Sequence, residues 1–264
     1  YAQKTLALSK ELLGEKHDYT AIDYQKIGKI CVLKGEHSKG LKYLYKALNI
    51  LQNKYGNKHK STSIIRLCIG TSFHQQGKFE KALEEYQWAL VTSLPNYEFF
   101  ADLYHLPSIK QCTLTEAGHT FNVLIERARL LCDYFYHLKE TNPSLATQVL
   151  KASFNTCGLI MEYRQKVQKN LKTENSKLLF LTTSPIVCQL CIKVALILAH
   201  HIEEEPIIED VFAFHEQEKT FLLRTCIQDE EAKMKASIDA GLLQQEINAR
   251  LVELADEYDK FQLA

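Results

Sequence analysis

The sequence predicts an all-α protein in which a helical solenoid is followed by a non-repeating helical bundle. Three observations support this fold class. Glycine and proline are scarce, at 10 and 5 of 264 residues, and no long stretch alternates apolar and polar residues as a strand would. A pattern of small and polar residues recurs 42 positions later near the start of the chain. Apolar residues further along the chain repeat with helical spacing.

The recurring pattern extends from Gly14 to Leu90 and is an internal repeat. Its matching pairs are Gly14/Gly56, His17/His59, Ile27/Ile69, Gly28/Gly70, Gly35/Gly77, Ala47/Ala89 and Leu48/Leu90. Each unit is predicted to be two helices joined by a glycine-containing turn. We expect these helices at about Thr20–Leu33 and Lys39–Lys54 in the first unit, and at about Ser61–Gln76 and Phe79–Thr92 in the second. Two-helix units that stack form a solenoid.

Small residues are predicted to lie where the two helices of each unit cross. Gly28 and Gly70 allow the first helix to approach its partner closely, because a side chain at either position would push the helices apart. The small residues of the second helices are Ala47 and Ala89, together with Gly40 and Ala82. Larger side chains fill the remaining space, namely Leu44 or Tyr86 and Cys31 or Phe73.

These units resemble the tetratricopeptide repeat. The strongest match is GKFEKALEEYQWAL (Gly77–Leu90), and GEHSKGLKYLYKAL (Gly35–Leu48) is a weaker copy with glycine where alanine is usual. The 42-residue length and the loops LGEKH (Leu13–His17) and YGNKH (Tyr55–His59) are similar to the repeats of kinesin light chains. Residues 1–13 look like the second helix of a preceding unit, so we expect the chain to be a piece of a longer protein.

The repeat fails after Leu90, because Leu94-Pro95-Asn96 and Leu106-Pro107-Ser108 interrupt the helical pattern. We therefore expect three regions. Residues 1–93 hold tetratricopeptide-like repeats and are N-terminally incomplete, residues 94–117 form a connector, and residues 118–264 form a helical C-terminal region.

Helix signals continue through the C-terminal region. His119–Glu140 has one apolar helical stripe. Asn142-Pro143 predicts the start of a helix that continues to about Leu171, and Ser184-Pro185 gives the same signal for a helix to about Ile202. The segment Ile208–Ala264 is predicted to form one or two long helices, whose clearest stripe is Ile247, Leu251, Leu254, Tyr258 and Phe261. This stripe can pack along neighbouring helices or form an intermolecular coiled coil.

The apolar stretch Leu178–Ile202 has the length of a membrane span, but Lys193, Gln189 and acidic flanking residues argue against one. We expect a central buried helix instead. The same stretch holds Cys188-x-x-Cys191, His200 and His201, the one set of residues that suggests a metal. Residues 188 and 200 of a straight helix lie about 18 Å apart, whereas zinc ligands converge, so we expect no metal site.

Motifs for catalysis are absent from the sequence. It contains no phosphate-binding loop, no nucleophile elbow and no zinc-protease motif, so we expect no catalytic residue and no cofactor. The eight cysteines are scattered rather than dense as in a secreted scaffold, which favours reduced thiols in the cytoplasm.

Charge is distributed unevenly although the net charge is zero. Residues 1–90 carry 15 Lys and Arg against 8 Asp and Glu, and residues 209–264 carry 6 against 13. Basic repeats favour an acidic or extended protein segment as partner, and the acidic C-terminal helix of the same chain is a candidate for an intramolecular contact. Solvated helix faces would give the same gradient. We expect no nucleic-acid partner.

The resemblance to tetratricopeptide repeats implies a partner-binding groove lined by the first helix of each unit. Carried over by position, its residues are Gln25, Lys29, Leu33, Leu67, Thr71, His74 and Gln75. The polar members can bond an extended peptide or a carboxylate, or they are merely solvated. Kinesin light chain repeats carry paired asparagines on this wall, where this chain has Gln25-Lys26 and Leu67-Cys68, so their cargo specificity is not implied.

The function that we expect is that of a non-catalytic adaptor or scaffold. One alternative is the regulatory or targeting arm of a larger multidomain enzyme. A membrane-embedded protein is a further alternative. It would be tested by whether the expressed chain stays soluble without detergent.

Overall fold

The computed structural model describes residues 1–98, 101–115, 117–170 and 174–202, with the side chains of all of these except 174–186 and 202. The helices within these ranges are α1 (Ala2–Leu13), α2 (Asp18–Leu33), α3 (His37–Tyr55), α4 (Lys60–Gln75), α5 (Phe79–Ser93), α6 (Ala117–Leu138), α7 (Pro143–Asn170) and α8 (Glu174–Ile202). The described residues contain no strand. The all-α fold class is therefore confirmed.

The four helices of the repeat agree with the sequence prediction to within two residues at every end. The helix α2 packs mainly on α3, and α4 packs mainly on α5. Each unit is therefore a helical hairpin with a three-residue turn. The second hairpin stacks on the first through the contact between α3 and α4. The helix α1 packs on α2 as α3 packs on α4.

Gly28 and Gly70 lie at close helix crossings. A Cβ atom at Gly28 would stand 2.7 Å from Cγ of Leu44, and one at Gly70 would stand 2.5 Å from Cε1 of Tyr86. Leu44 and Tyr86 are both fully buried. Because these distances are shorter than van der Waals contact, the predicted close crossing is confirmed.

Gly35 and Gly77 end the first helices with a left-handed backbone, at φ 77° and 69°. The N–H of each glycine donates to the carbonyl three residues earlier, at 2.9 Å in both units. The next N–H donates to the carbonyl five residues earlier, at 2.9 Å after Gly35 and 3.0 Å after Gly77. This is the Schellman arrangement, and its positive φ explains why glycine recurs at these positions.

His17 and His59 cap the starts of α2 and α4. The Nδ1 atom of each accepts a hydrogen bond from the backbone N–H two residues later, at 3.2 Å in both units. Thr20 and Thr62 follow three residues after each histidine, and both are fully buried. Their hydroxyls donate to loop carbonyls, to Gly14 at 2.8 Å and to Asn57 at 3.2 Å. Histidine therefore recurs because it satisfies a backbone donor at the helix start.

The alternation of helices continues beyond the recognisable repeat. The helices α6 and α7 form a third hairpin, α6 packs on α5, and α8 packs on α7. The first helices also touch across the array, as α2 with α4, α4 with α6, and α6 with α8. The hydroxyl of Ser153 in α7 donates to the carbonyl of Ala128 in α6 at 2.9 Å, which marks their close approach. Helices without a 42-residue echo thus stack in the manner of the repeats.

The described residues between α5 and α6, 94–98 and 101–115, are attached to the helices by buried contacts. Leu94, Tyr97 and Cys112 are fully buried. Nε2 of Gln87 in α5 donates to the carbonyl of Asp102 at 3.1 Å. Nζ of Lys166 in α7 donates to the carbonyl of Cys112 at 2.7 Å. The segment is thus held on both sides.

Only one of the two proline start signals in the C-terminal region marks a helix start. The helix α7 begins at Pro143 as predicted, and Oδ1 of Asn142 accepts a hydrogen bond from the N–H of Leu145 at 3.2 Å. The predicted start at Ser184-Pro185 is wrong, because α8 continues through this pair from Glu174. An interior proline removes one backbone hydrogen bond, and the helical turns on either side of it can offset that loss. The local Ser-Pro signal does not distinguish a helix start from a helix interior.

The helix α8 buries one face along residues 187–201. Its buried residues there are Val187, Cys188, Cys191, Val194, Ala195 and Leu198. Lys193 and Leu196 are exposed, so the expectation of a central buried helix is wrong for this stretch. Of the helices that the structure describes, none has the length and apolar character needed to cross a membrane. The predicted helices of Ile208–Ala264 lie outside the described residues.

Candidate functional site

The candidate groove is formed by two neighbouring first helices, α2 and α4, which contact each other. Three of its residues are exposed, namely Lys29, Leu33 and Gln75. The other four are half-buried, namely Gln25, Leu67, Thr71 and His74. The structure therefore brings the predicted residues onto two adjacent helices and leaves most of them accessible.

Lys29 supplies positive charge to this surface. None of the described residues places a carboxylate within ion-pair distance of its ammonium. Burial raises the pKa of the Cys68 thiol in α4, and the charge of Lys29 opposes this rise. Lys29 thus lies close enough to α4 for its charge to act there.

Leu33 adds an apolar side chain at the end of α2. It is 70% exposed, and its neighbour Ile30 is 43% exposed. An exposed cation next to exposed aliphatic side chains can contact a partner through both its charge and its apolar groups.

Thr71 turns its hydroxyl back to its own helix. Its Oγ1 donates to the carbonyl of Leu67 at 2.9 Å and lies 3.4 Å from the hydroxyl oxygen of Tyr86. Burial raises the pKa of that tyrosine well above its ordinary value, so the phenol stays protonated. The polar group of Thr71 is thus already partly occupied.

His74 bonds a carboxylate of the same chain. Its Nε2 lies 2.9 Å from Oδ2 of Asp133 in α6. The side chain of His74 is 16% exposed and that of Asp133 is 57% exposed. His74 therefore links the second unit to α6. Asp133 was not predictable from the sequence, because no 42-residue echo marks α6 as another first helix.

The helix α6 extends this surface with charged side chains. Glu126 and Arg129 form an ion pair at 2.8 Å. Glu126 contributes to the raised pKa of Tyr86 and Arg129 opposes it, so both lie near α5. Together with Asp133, these residues give the α6 side mixed charge, in contrast to the basic α2 side.

The cysteines and histidines of α8 do not converge. Cys188 lies 2.8 Å from Nη1 of Arg164, and the Cys191 thiol lies 3.9 Å from the carbonyl of Cys157. His201 lies 3.1 Å from the hydroxyl of Thr147. Within the part of the chain that the structure describes, no group of three His, Cys, Asp or Glu residues is arranged to hold a metal ion.

Comparison with known proteins identifies the repeat but not the whole chain. The family model described as tetratricopeptide repeat matches residues 22–90, and no family model matches the C-terminal part. No curated protein matches the chain. The matched segment covers α2 to α5 almost completely and includes all seven groove residues. Residues 22–90 are therefore a segment of tetratricopeptide repeats, a module that generally mediates protein–protein interaction.

Proposed function

We propose that this protein is a non-catalytic adaptor whose groove, formed by α2 and α4, binds a segment of a partner protein. The observation that carries the proposal is the pairing of Lys29 and Leu33 on one helix beside α4. One is an exposed cation without a carboxylate partner among the described residues, and the other is a leucine that is 70% exposed. Such a surface suits a segment with carboxylate and apolar side chains.

An acidic segment is the preferred partner. Lys26 on the same helix and Lys34, which directly follows its end, are also exposed. Lys26 approaches Asp23 only at 3.9 Å, so its charge is weakly compensated. We place the most acidic part of the partner over α2, because the α6 side already carries Glu126 and Asp133.

A reducing compartment such as the cytoplasm fits this role. None of the seven cysteines among the described residues forms a disulfide, and six of them are buried. Free thiols that persist in a folded protein are typical of cytosolic proteins.

The experiment is capture of partners from lysate, followed by titration of the tightest partner against the parent chain and Lys29→Glu. We expect Lys29→Glu to weaken binding by roughly 1–3 kcal/mol if the contact is desolvated, and by less at a solvated rim. Lys42→Glu is the matched control, since Lys42 is exposed on α3 and outside the groove. Raising the salt concentration should weaken the parent complex.

A partner that binds Lys29→Glu as tightly as the parent would exclude the groove as its site. A chain truncated after Ile207 tests competition by the acidic C-terminal segment. Tighter binding by the truncated chain would show that this segment competes, and unchanged affinity would show that it does not.

A further inference from the structure

A second surface of the repeats lies outside the groove, where the loop between α1 and α2 meets α3. An open cleft of about 570 Å³ is lined there by Glu15 and Lys16 of the loop, Tyr24 of α2, and Lys46, Asn49 and Ile50 of α3. We refer to it as the basic cleft. It shares no residue with the candidate groove. Its volume is within the range of sites that hold several side chains of a ligand.

The one carboxylate of the loop wall is already neutralised. The hydroxyl of Tyr24 donates to Oε1 of Glu15 at 2.9 Å, and Nζ of Lys10 lies 3.3 Å from the same oxygen. These two contacts hold the pKa of Glu15 below its ordinary value, so the carboxylate stays ionised and paired. Glu15 thus has two close partners of its own, and Lys46 acts on it only as the smallest of the charges that lower its pKa.

Lys16 and Lys46 are the cations available to a ligand. Neither has a carboxylate within ion-pair distance among the described residues. The Lys46 ammonium lies 5.4 Å from the ring centroid of Tyr24, which places it over the floor of the cleft. Lys54, the third lysine of the lining, is paired with Asp18 at 2.7 Å. The unpaired charge is thus concentrated on Lys16 and Lys46.

The remaining lining groups suit a peptide. Tyr24 is 1% exposed and lies beneath the Lys46 ammonium, so the apolar surface open to a ligand is that of the half-buried Ile50. Oδ1 of Asn49 accepts a hydrogen bond from Nδ2 of Asn53 at 2.5 Å. No described residue accepts from Nδ2 of Asn49, which leaves this amide to donate to a peptide carbonyl.

We propose that the basic cleft binds an acidic peptide segment of a partner protein, with carboxylates on Lys16 and Lys46 and an apolar side chain on Ile50. Charge complementarity supports this occupant, because two unpaired ammonium groups lie beside an apolar side chain. A nucleic acid fits less well. Its regularly spaced phosphates require a longer row of cations, whereas only Lys16 and Lys46 of the lining lack a carboxylate partner among the described residues.

The test is selection of a displayed library of random peptides of about twelve residues on the whole chain, a length that covers the motifs such clefts recognise. We expect enrichment of acidic peptides with an aliphatic or aromatic residue. The tightest synthetic peptide should lose at least about tenfold in affinity on the double variant Lys16→Glu with Lys46→Glu, equivalent to about 1.4 kcal/mol. Lys42→Glu, a single charge reversal one turn before Lys46, should retain affinity to within about twofold.

Several outcomes would overturn the proposal. They are the absence of an acidic bias, equal losses in Lys42→Glu and the double variant, and displacement of the peptide by an oligonucleotide or phosphatidylserine vesicles at equal charge concentration. Lys29→Glu separates the two sites, because it should weaken the groove partner and leave the cleft peptide bound. If the double glutamate variant does not fold by circular dichroism, Lys16→Ala with Lys46→Ala replaces it, with the same expected direction.

Discussion

At the residue scale, single missing side-chain atoms determine how closely the repeat helices approach. Gly70 faces the ring of Tyr86, whereas Gly158 in α7 has nothing within 4 Å of the position where a Cβ would stand. Both glycines lie inside helices. They therefore form a matched pair in which helix propensity is the same and packing differs.

Alanine at these two positions should have opposite effects on stability. Gly158→Ala should raise the free energy of unfolding by about 0.5–1 kcal/mol through helix propensity. Gly70→Ala should lower it by about 1–3 kcal/mol, because the Cβ overlaps the Tyr86 ring. Gly70→Leu should cost more. Chemical denaturation of the variants measures this, and equal stabilisation by both alanines would show that the crossing at Gly70 is not close.

The packing of Arg127 in α6 gives a second testable prediction. It is fully buried, and no described residue accepts a hydrogen bond from any of its three guanidinium nitrogens. Burial lowers the pKa of Arg127 to about 10, with Tyr97, Asp102 and Tyr104 opposing this effect. The side chain is thus charged at neutral pH and unpaired, which is a costly arrangement.

Arg127→Met should therefore leave the melting temperature unchanged or raise it, equivalent to about 0–2 kcal/mol of stabilisation. Arg164→Met is the control, since Arg164 is also buried but contacts Cys188 at 2.8 Å. That variant should melt lower than the parent. Equal losses in both variants, measured by calorimetry, would mean that Arg127 has a hydrogen-bond partner in solution.

Residue-scale prediction from the sequence succeeded where one local pattern fixed the environment. The recurrence of Gly28 and Gly70 predicted their close crossings. Arg127 lies within the apolar stripe of α6. Nothing in the sequence indicated that its guanidinium would be buried without a hydrogen-bond partner among the described residues. That property depends on the residues near it in the connector, such as Tyr97 and Tyr104, whose positions a periodic pattern does not encode.

At the element scale, the helix starts depend on cap residues that recur with the repeat. The Nδ1 atoms of His17 and His59 each accept one backbone hydrogen bond. Asp18 follows His17 and joins the start of α2 to the end of α3, through Lys54 at 2.7 Å and the hydroxyl of Tyr55.

Removing one histidine cap should destabilise the fold by a defined amount. His17→Ala should cost about 0.5–2 kcal/mol, because the N–H of Tyr19 loses its acceptor. His17→Asn should recover most of this loss, since asparagine is a strong N-cap. Thermal melts of the three chains measure it, and an asparagine variant as unstable as the alanine variant would show that the histidine acts through packing instead.

The Asp18 contact predicts the direction of one pH effect. Hydrogen bonds from Lys54 and Tyr55 lower the pKa of Asp18 below its ordinary value of 3.8. Stabilisation by a carboxylate with a lowered pKa is present above the ordinary value and is lost as the pH falls through the folded one. Between about pH 6 and about pH 2, the free energy of unfolding of the parent should therefore fall by about 0.5 kcal/mol more than that of Asp18→Asn. This is the typical contribution of an exposed ion pair.

Acid titration of unfolding free energies checks this, with Lys54→Met as the partner variant. Lys54→Met should reduce the pH dependence, as Asp18→Asn does. Parallel pH profiles for the parent and both variants would show that the contact does not form in solution.

Element boundaries were predictable where caps and breakers agreed with helical periodicity. Asn142-Pro143 began a helix because the asparagine accepts from Leu145. Ser184-Pro185 is the same type of signal, a cap residue followed by proline, but it lies inside α8. The residues before Ser184 are already helical, whereas those directly before Pro143 are not.

At the scale of the whole molecule, one packing arrangement extends over segments that differ in sequence. The helices α6 to α8 stack as the repeat helices do, yet they lack the 42-residue pattern. Their close approach uses Ser153 and Ala128 instead of glycine. The groove positions on α2 and α4 stay a prediction from the family resemblance. Asp133 gave no signal in the sequence, because only packing brings α6 next to His74.

Cross-linking from defined positions tests whether a partner lies in the groove between α2 and α4. A photoreactive benzoylphenylalanine replaces Leu33 in one chain and Lys42 in another, and each chain is irradiated with the captured partner. A partner in the groove should give a cross-linked product from position 33 and none above background from position 42. A product from position 42 alone would show that the partner binds elsewhere.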